Sequence, residues 1–270
     1  MVKDRKTSSD LLTVIAIAIV AYAGANITHE IIGHCGTMAL LGGKCSYIST
    51  TYIRTSPELP LEWRFRIDAF AGSAANWLVA LIYLRLLRAW RSASPPLRFF
   101  LWLSTSVNLF LPATYLLVSP VIRFGDWYSM TIGLSHPFLW RSGMIVAGAV
   151  VCWLSFRLCG RELIKLIGVE AKHARSTAWS LIIPAYLAGG IISIAAALLG
   201  PLPLKWALFI SGGMFGVTFW LLLLPLRIRV RTIPTEDPFL LPRNVGWLIA
   251  GTLVALVFLF VLGPGFSLIV

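Results

Sequence analysis

Ile27-Thr28-His29-Glu30-Ile31-Ile32-Gly33-His34 closes an almost unbroken apolar run that begins at Leu11. At ~1.5 Å rise per residue, a helix of that length spans most of the ~30 Å of hydrocarbon in a bilayer, so two histidines and a glutamate fall at its far end. Ionisable side chains at that depth are costly unless they bind something or line a wet cavity, and a metal ion accounts for all three at once. The stretch therefore implies both that the chain crosses a membrane and that its first crossing carries a site.

The rest of the chain agrees with the first part. With 58% hydrophobic and 13% charged residues over 270 positions, it reads as an all-α, polytopic integral membrane bundle in a single domain, 1–270. Seven spans are expected near 10–40, 67–88, 97–121, 138–158, 178–199, 203–225 and 245–268, with prolines such as Pro57, Pro95-Pro96, Pro201 and Pro203, and Pro234, Pro238 and Pro242 punctuating the gaps. Residues 1–127 form the expected metal-site half and 128–270 the supporting helices. The short basic tail before the first span resembles the start of a secretory leader, but the apolar stretch is too long and no clean cleavage site follows, so that span is expected to remain.

Basic residues supply an orientation. Lys3, Arg5 and Lys6, then Arg85, Arg88, Arg91 and Arg98, then Arg157, Arg161, Lys165, Lys172 and Arg175, then Arg227, Arg229, Arg231 and Arg243 fall in alternate inter-span segments. The positive-inside rule makes these segments cytoplasmic, which puts the N-terminus inside, the C-terminus outside and the histidines toward the outer face. The net charge of +12 is then mostly a topology signal, matched to an anionic lipid leaflet rather than to nucleic acid. The plasma (inner) membrane of a prokaryote is the expected location, with membrane lipid as neighbour and homo-oligomers compatible with the sequence.

His29 and His34 are five residues apart, about 140° on a regular helix wheel, whereas two ligands on one face need a spacing of three or four. A single widened turn of π type, eased by Gly33, brings them together. Two imidazoles and a carboxylate with an open position make a catalytic zinc shell. Asp126, just past the outer end of the third span, is the expected third ligand; Glu58, Glu62, Asp68 and His136 share the predicted side and are its rivals. His173 lies among Lys172 and Arg175 on the opposite side. Glu30 is expected to serve as general base to a metal-activated water. Alternatively Glu30 and His34, four apart, are both ligands, an arrangement suited to iron or manganese and to oxidation of lipid.

The second span carries Ala71-Gly72-Ser73-Ala74-Ala75-Asn76, small residues that admit a neighbouring helix and an amide two turns deep. Together with His29-Glu30 and Asp126, this segment resembles the site-2 protease-like membrane zinc metalloproteases, in which an Ala-Gly-Pro-x-x-Asn segment follows the zinc helix and an aspartate on a later helix completes the shell. The resemblance covers roughly residues 27–127 and implies intramembrane proteolysis, with Asn76 holding substrate or orienting the site. It differs in the histidine spacing, in Ser73 for proline, and in Gly125-Asp126-Trp127 where Leu-Asp-Gly is usual. His-Glu-Ile-Ile-Gly-His is also similar, over those six residues only, to the zinc signature of the dipeptidyl peptidase III family, where the longer spacing holds zinc.

Elsewhere the chain carries little visible chemistry. Asn108, in mid-span, needs a partner. The loop Gly42 to Arg66 either covers the site or lies on the membrane interface. Cys35 and Cys45 are close enough in sequence for a disulfide and equally compatible with two thiols; Cys152 and Cys159 read as small hydrophobes. Gly212, Gly213 and Gly216 suggest helix packing or a dimer contact, Leu221 to Leu224 a lipid-facing run, and Arg141 a snorkelling cation or an anchor for a substrate carboxylate. No nucleotide-binding glycine loop, nucleophile elbow or zinc-ribbon spacing occurs. The expected function is zinc-dependent hydrolysis of a membrane-embedded peptide. Hydrolysis of a lipid-linked amide and a nonenzymatic scaffold or transport-associated role are the alternatives.

Overall fold

A computed structural model describes residues 9–56, 63–168, 174–228 and 239–268. Its seven helices long and apolar enough to cross a membrane are Leu11–Leu40, Trp63–Ala89, Pro95–Ile122, Pro137–Ile167, Ala174–Leu198, Leu204–Arg227 and Val245–Leu262. The chain is thus an all-helical, multi-pass membrane bundle, with one small sheet among the described residues. The fourth crossing runs further than hydropathy indicates, through Arg157, Arg161 and Lys165, because basic side chains on its last turns extend beyond the apolar core without ending the helix.

The first crossing is composite: α1 (Leu11–Ile27), a π-helical segment (Thr28–Cys35) and α2 (Gly36–Leu40). Asp10 caps α1 by accepting from the Thr13 N–H at 2.9 Å, and short Ala18, Ala21 and Ala25 leave α1 thin enough to be enclosed. Next come β1 (Lys44–Ile48), β2 (Ile53–Ser56), α3 (Trp63–Ala89) and α4 (Pro95–Ile122), then the single turn α5 (Asp126–Ser129), α6 (Pro137–Ile167) and α7 (Ala174–Leu198). The sixth crossing breaks into α8 (Leu204–Val217), α9 (Trp220–Leu223) and a 3-10 turn (Leu224–Arg227). The seventh is α10 (Val245–Val257) followed by a second π segment, and β3 (Phe266–Ser267) comes last.

Helix α4 is the spine. Phe99, Trp102, Leu103, Val107, Phe110 and Ala113 are buried along it, and it packs against α1, α3 and α6. Leu221 and Leu224 are fully buried in the same core, so that leucine run is not lipid-facing as its composition suggests; the break after Thr218 turns it inward. At the face where α3 ends and α4 begins, Arg88 donates twice to Glu162, whose carboxylate also takes Lys165. At the opposite face the strands form an antiparallel sheet in the order β2-β1-β3. A register shift between Cys45 and Tyr47 bends the β1–β2 hairpin. The Tyr47 hydroxyl, donating to the Pro264 carbonyl, ties the sheet to the seventh crossing.

Cys35 and Cys45 form a disulfide that fastens the end of the π segment to β1. Cys152 and Cys159 are free and buried. Glu58 and Glu62 of the loop, His173, and the basic residues Lys3, Arg5, Lys6, Lys172, Arg229 and Arg231 lie outside the described residues.

Candidate metal centre

The π segment resolves the awkward histidine spacing. A regular helix would turn His34 away from His29; the widened turn brings their Nε2 atoms to 3.3 Å. Close approach of α3 is what allows this. A Cβ on Gly33 would lie 2.5 Å from the Gly72 Cα, and a Cβ on Gly72 would lie 2.6–2.7 Å from the imidazole atoms of His29 and His34. The two bare backbones meet back to back, and Gly72 leaves open the space beside both rings.

Asp126 arrives from the other side. Helix α4 ends at Arg123 in the left-handed region, and Gly125, with φ +85°, turns the chain so that Asp126 starts α5. Its backbone N–H donates to the Tyr115 hydroxyl at 2.8 Å. The segment is also held from α3 and α6: Trp127 Nε1 donates to Ser73 Oγ, Arg66 donates to the Met130 and Ile132 carbonyls, and Arg141 donates to Thr131 Oγ1 while stacking over Tyr128. Arg141 thus serves the loop from within the protein. A Cβ at Gly125 would fall 1.9 Å from the Tyr115 oxygen. Gly125→Ala, strained in φ as well, is therefore expected to displace Asp126 and to lower zinc content by at least about tenfold in protein whose helical circular dichroism is retained, measured by elemental mass spectrometry.

Asp126 Oδ2 sits 3.2 Å from His29 Nε2 and 3.5 Å from His34 Nε2. With the 3.3 Å between the nitrogens, the three donors form a near-equilateral triangle. Ligands at about 2.0–2.1 Å from a tetrahedral zinc lie about 3.3–3.4 Å from one another, so the triangle has the size of one face of such a shell. The hydrogen bonds behind the rings agree. His34 Nδ1 faces the Asp68 carbonyl oxygen at 2.9 Å and His29 Nδ1 faces the Asn76 Oδ1 at 3.0 Å, both acceptors, so each Nδ1 carries a proton. Two Nε2 atoms and a carboxylate oxygen then converge as electron-pair donors, an arrangement that a cation between them would satisfy.

The other residues singled out in the sequence are placed as follows. Glu30 is half-buried and lines a cavity of about 900 Å³ that His29, His34 and Asp126 also line. Asn76 is fully buried behind His29, away from the cavity. Asp68 lines the cavity with its carboxylate 3.7 Å from His34 Nδ1, outside the triangle of donors. His136 is exposed at the left-handed residue before α6 and stands apart from the cluster. The cavity is roofed by the hairpin through Thr51, Tyr52, Ile53 and Thr55 and walled by α4 and α8, where Leu208, Phe209 and Val217 make it largely apolar. Gly212 and Gly213 belong to that wall, and a Cβ at Gly212, Gly213 or Gly216 would meet nothing within 4 Å, so these glycines pack against no described helix. Tyr115, which holds the Asp126 N–H, also stands on the wall.

Fold and site together define a polytopic membrane protein with a buried His/His/Asp cluster able to chelate a divalent metal ion. No protein-family model, curated protein or solved structure matches the chain.

Proposed function

We propose that the protein is an intramembrane zinc hydrolase that cleaves peptide bonds, a divergent relative of the site-2 protease-like metalloproteases. The observation that carries this reading is the triangle of donors 3.2–3.5 Å on a side with both Nδ1 protons committed elsewhere. His29, His34 and Asp126 would hold the ion, leaving a position open to the cavity. A zinc ion bound there supplies Lewis acidity and makes water a competent nucleophile near neutral pH.

Glu30 is the group placed to take a proton. It lines the same cavity as His29, His34 and Asp126 and has no hydrogen-bond partner among the described residues. As general base it accepts a proton from the attacking water and passes it to the leaving amine. The cavity is within the ~300–1,000 Å³ of ligand sites, room for a short peptide segment.

Two departures from the family pattern compensate each other. Ser73, where proline is usual, accepts the hydrogen bond of Trp127, which follows Asp126 in place of the usual glycine. The segment bearing the third ligand is thereby tied to α3 by a different device. The orientation rests on two independent features. The basic residues cluster in alternate inter-span segments of the sequence, and the Cys35–Cys45 disulfide, of a kind that persists in an oxidising compartment, joins residues at the other end of the first crossing. Both support a reading in which the hairpin and the site face the outer side of the membrane, taken here as a prokaryotic plasma membrane.

Detergent-purified protein never exposed to chelator is expected to carry about one zinc per chain, lost in His29→Ala and Asp126→Ala and kept in His136→Ala, by elemental mass spectrometry. A folded, metal-free unaltered chain would favour a scaffold role. Retention of zinc with cleavage of a lipid amide rather than a transmembrane peptide would move the substrate class and leave the centre intact.

A further inference from the structure

Asn108 touches neither the cavity nor the three donors, yet its hydrogen bonds lead to them. It is 1% exposed in the middle of α4. Its Nδ2 donates to the Ser104 carbonyl at 2.9 Å, which turns its Oδ1 toward Asn76. Asn76 Nδ2 donates one proton to that oxygen at 2.7 Å and the other to the Ala25 carbonyl at 2.9 Å. Both donors of Asn76 are thus engaged, and its Oδ1 alone is left for His29 Nδ1 at 3.0 Å. An acceptor there demands a proton on Nδ1, and the lone pair of His29 is left on Nε2, in the triangle with His34 and Asp126.

The reverse arrangement is disfavoured at every link. Flipping the Asn76 amide would set its oxygen against Asn108 Oδ1 and the Ala25 carbonyl, two acceptors. It would also present an N–H to His29 Nδ1, moving the ring proton to Nε2, where it would block ligation. Asn76 is wholly buried and Asn108 nearly so, so water cannot relieve such a clash.

We propose that Asn108 is a positioning residue for metal binding: through Asn76 it holds His29 in the tautomer that ligates, and so sets the affinity of a cluster it does not touch. The inference rests on the metal reading above. It adds α4 to the elements that build the centre, one layer further from the ion than Asn76. It also gives the mid-span amide a purpose that helix packing does not.

The test compares Asn108→Leu, which removes the acceptor, with Asn108→Asp, whose buried and protonated carboxyl keeps an acceptor for Asn76 and a donor for Ser104. Metal-stripped proteins are titrated with zinc against a competing chelator. Loss of a hydrogen-bond partner behind a ligand costs about 10–100-fold in affinity, so that weakening is expected for Asn108→Leu, with Asn108→Asp within about threefold of the unaltered chain. A merely structural role would lower the melting temperature of the metal-free Asn108→Leu chain and leave its affinity unchanged, which overturns the proposal. Nitrogen-15 shifts of His29 in the unaltered, metal-free chain decide independently if Asn108→Leu does not fold. A proton on Nδ1 is expected, and its absence overturns the inference. An unaltered chain that binds no zinc overturns the metal reading itself, an outcome distinct from equal binding by both variants.

Discussion

Gly72→Ala is expected to yield a folded, membrane-inserted chain that retains no zinc. The added methyl would lie 2.7 Å from the Nε2 atoms of both His29 and His34, far inside van der Waals contact. The neighbours that would have to move are the two imidazoles, and each is held from behind by a hydrogen bond on Nδ1. Both rings must swing away to relieve the methyl, and that movement destroys the triangle. The seven crossings do not depend on those rings, because the main core gathers around α1, α4 and α7. Loss of at least about 100-fold in zinc affinity is expected, with helical circular dichroism preserved. A Gly72→Ala protein that binds zinc like the unaltered chain would show that the open space beside the rings is not where the ion sits.

Glu30→Gln should separate binding from chemistry in the opposite sense. The amide keeps the size and polarity of the carboxylate on the cavity wall, and the donors at His29, His34 and Asp126 are unaltered. Zinc content is therefore expected to match that of the unaltered chain. Removing the base should slow peptide hydrolysis by about 10²–10⁴-fold with little change in KM, since the lost interaction belongs to proton transfer. The assay is single-turnover cleavage of a transmembrane peptide in detergent or liposomes. Equal loss of zinc and activity would make Glu30 a ligand, and unaltered cleavage would remove it from the reaction.

The sequence carried the crossings and the meeting of the histidines for physical reasons. Hydropathy integrates over twenty residues, so seven apolar stretches survive local irregularity. The spacing of His29 and His34 admits convergence only through an extra residue per turn, and the π segment is that solution. Asp126 was recognisable by depth, since it follows the outer end of α4. Several contributions were not legible. The direction of the Asn76 amide depends on Asn108 and Ala25, partners on other parts of the chain. Gly72 reads as a packing glycine, which it is toward Gly33, and only coordinates reveal the imidazoles against it. The hairpin roof consists of short strands in a polar loop, below the length at which alternation declares itself. The disulfide could not be decided because the π turn rotates Cys35, and that rotation sets whether its sulfur faces β1.

The order in which the chain is made gives the roof a further meaning. All three donors have been synthesised once Asp126 has emerged, but the apolar wall of α8 and the strand β3 that braces the hairpin come only with later crossings. In chain order, the residues of the triangle therefore precede the wall and the brace that enclose the cavity beside it.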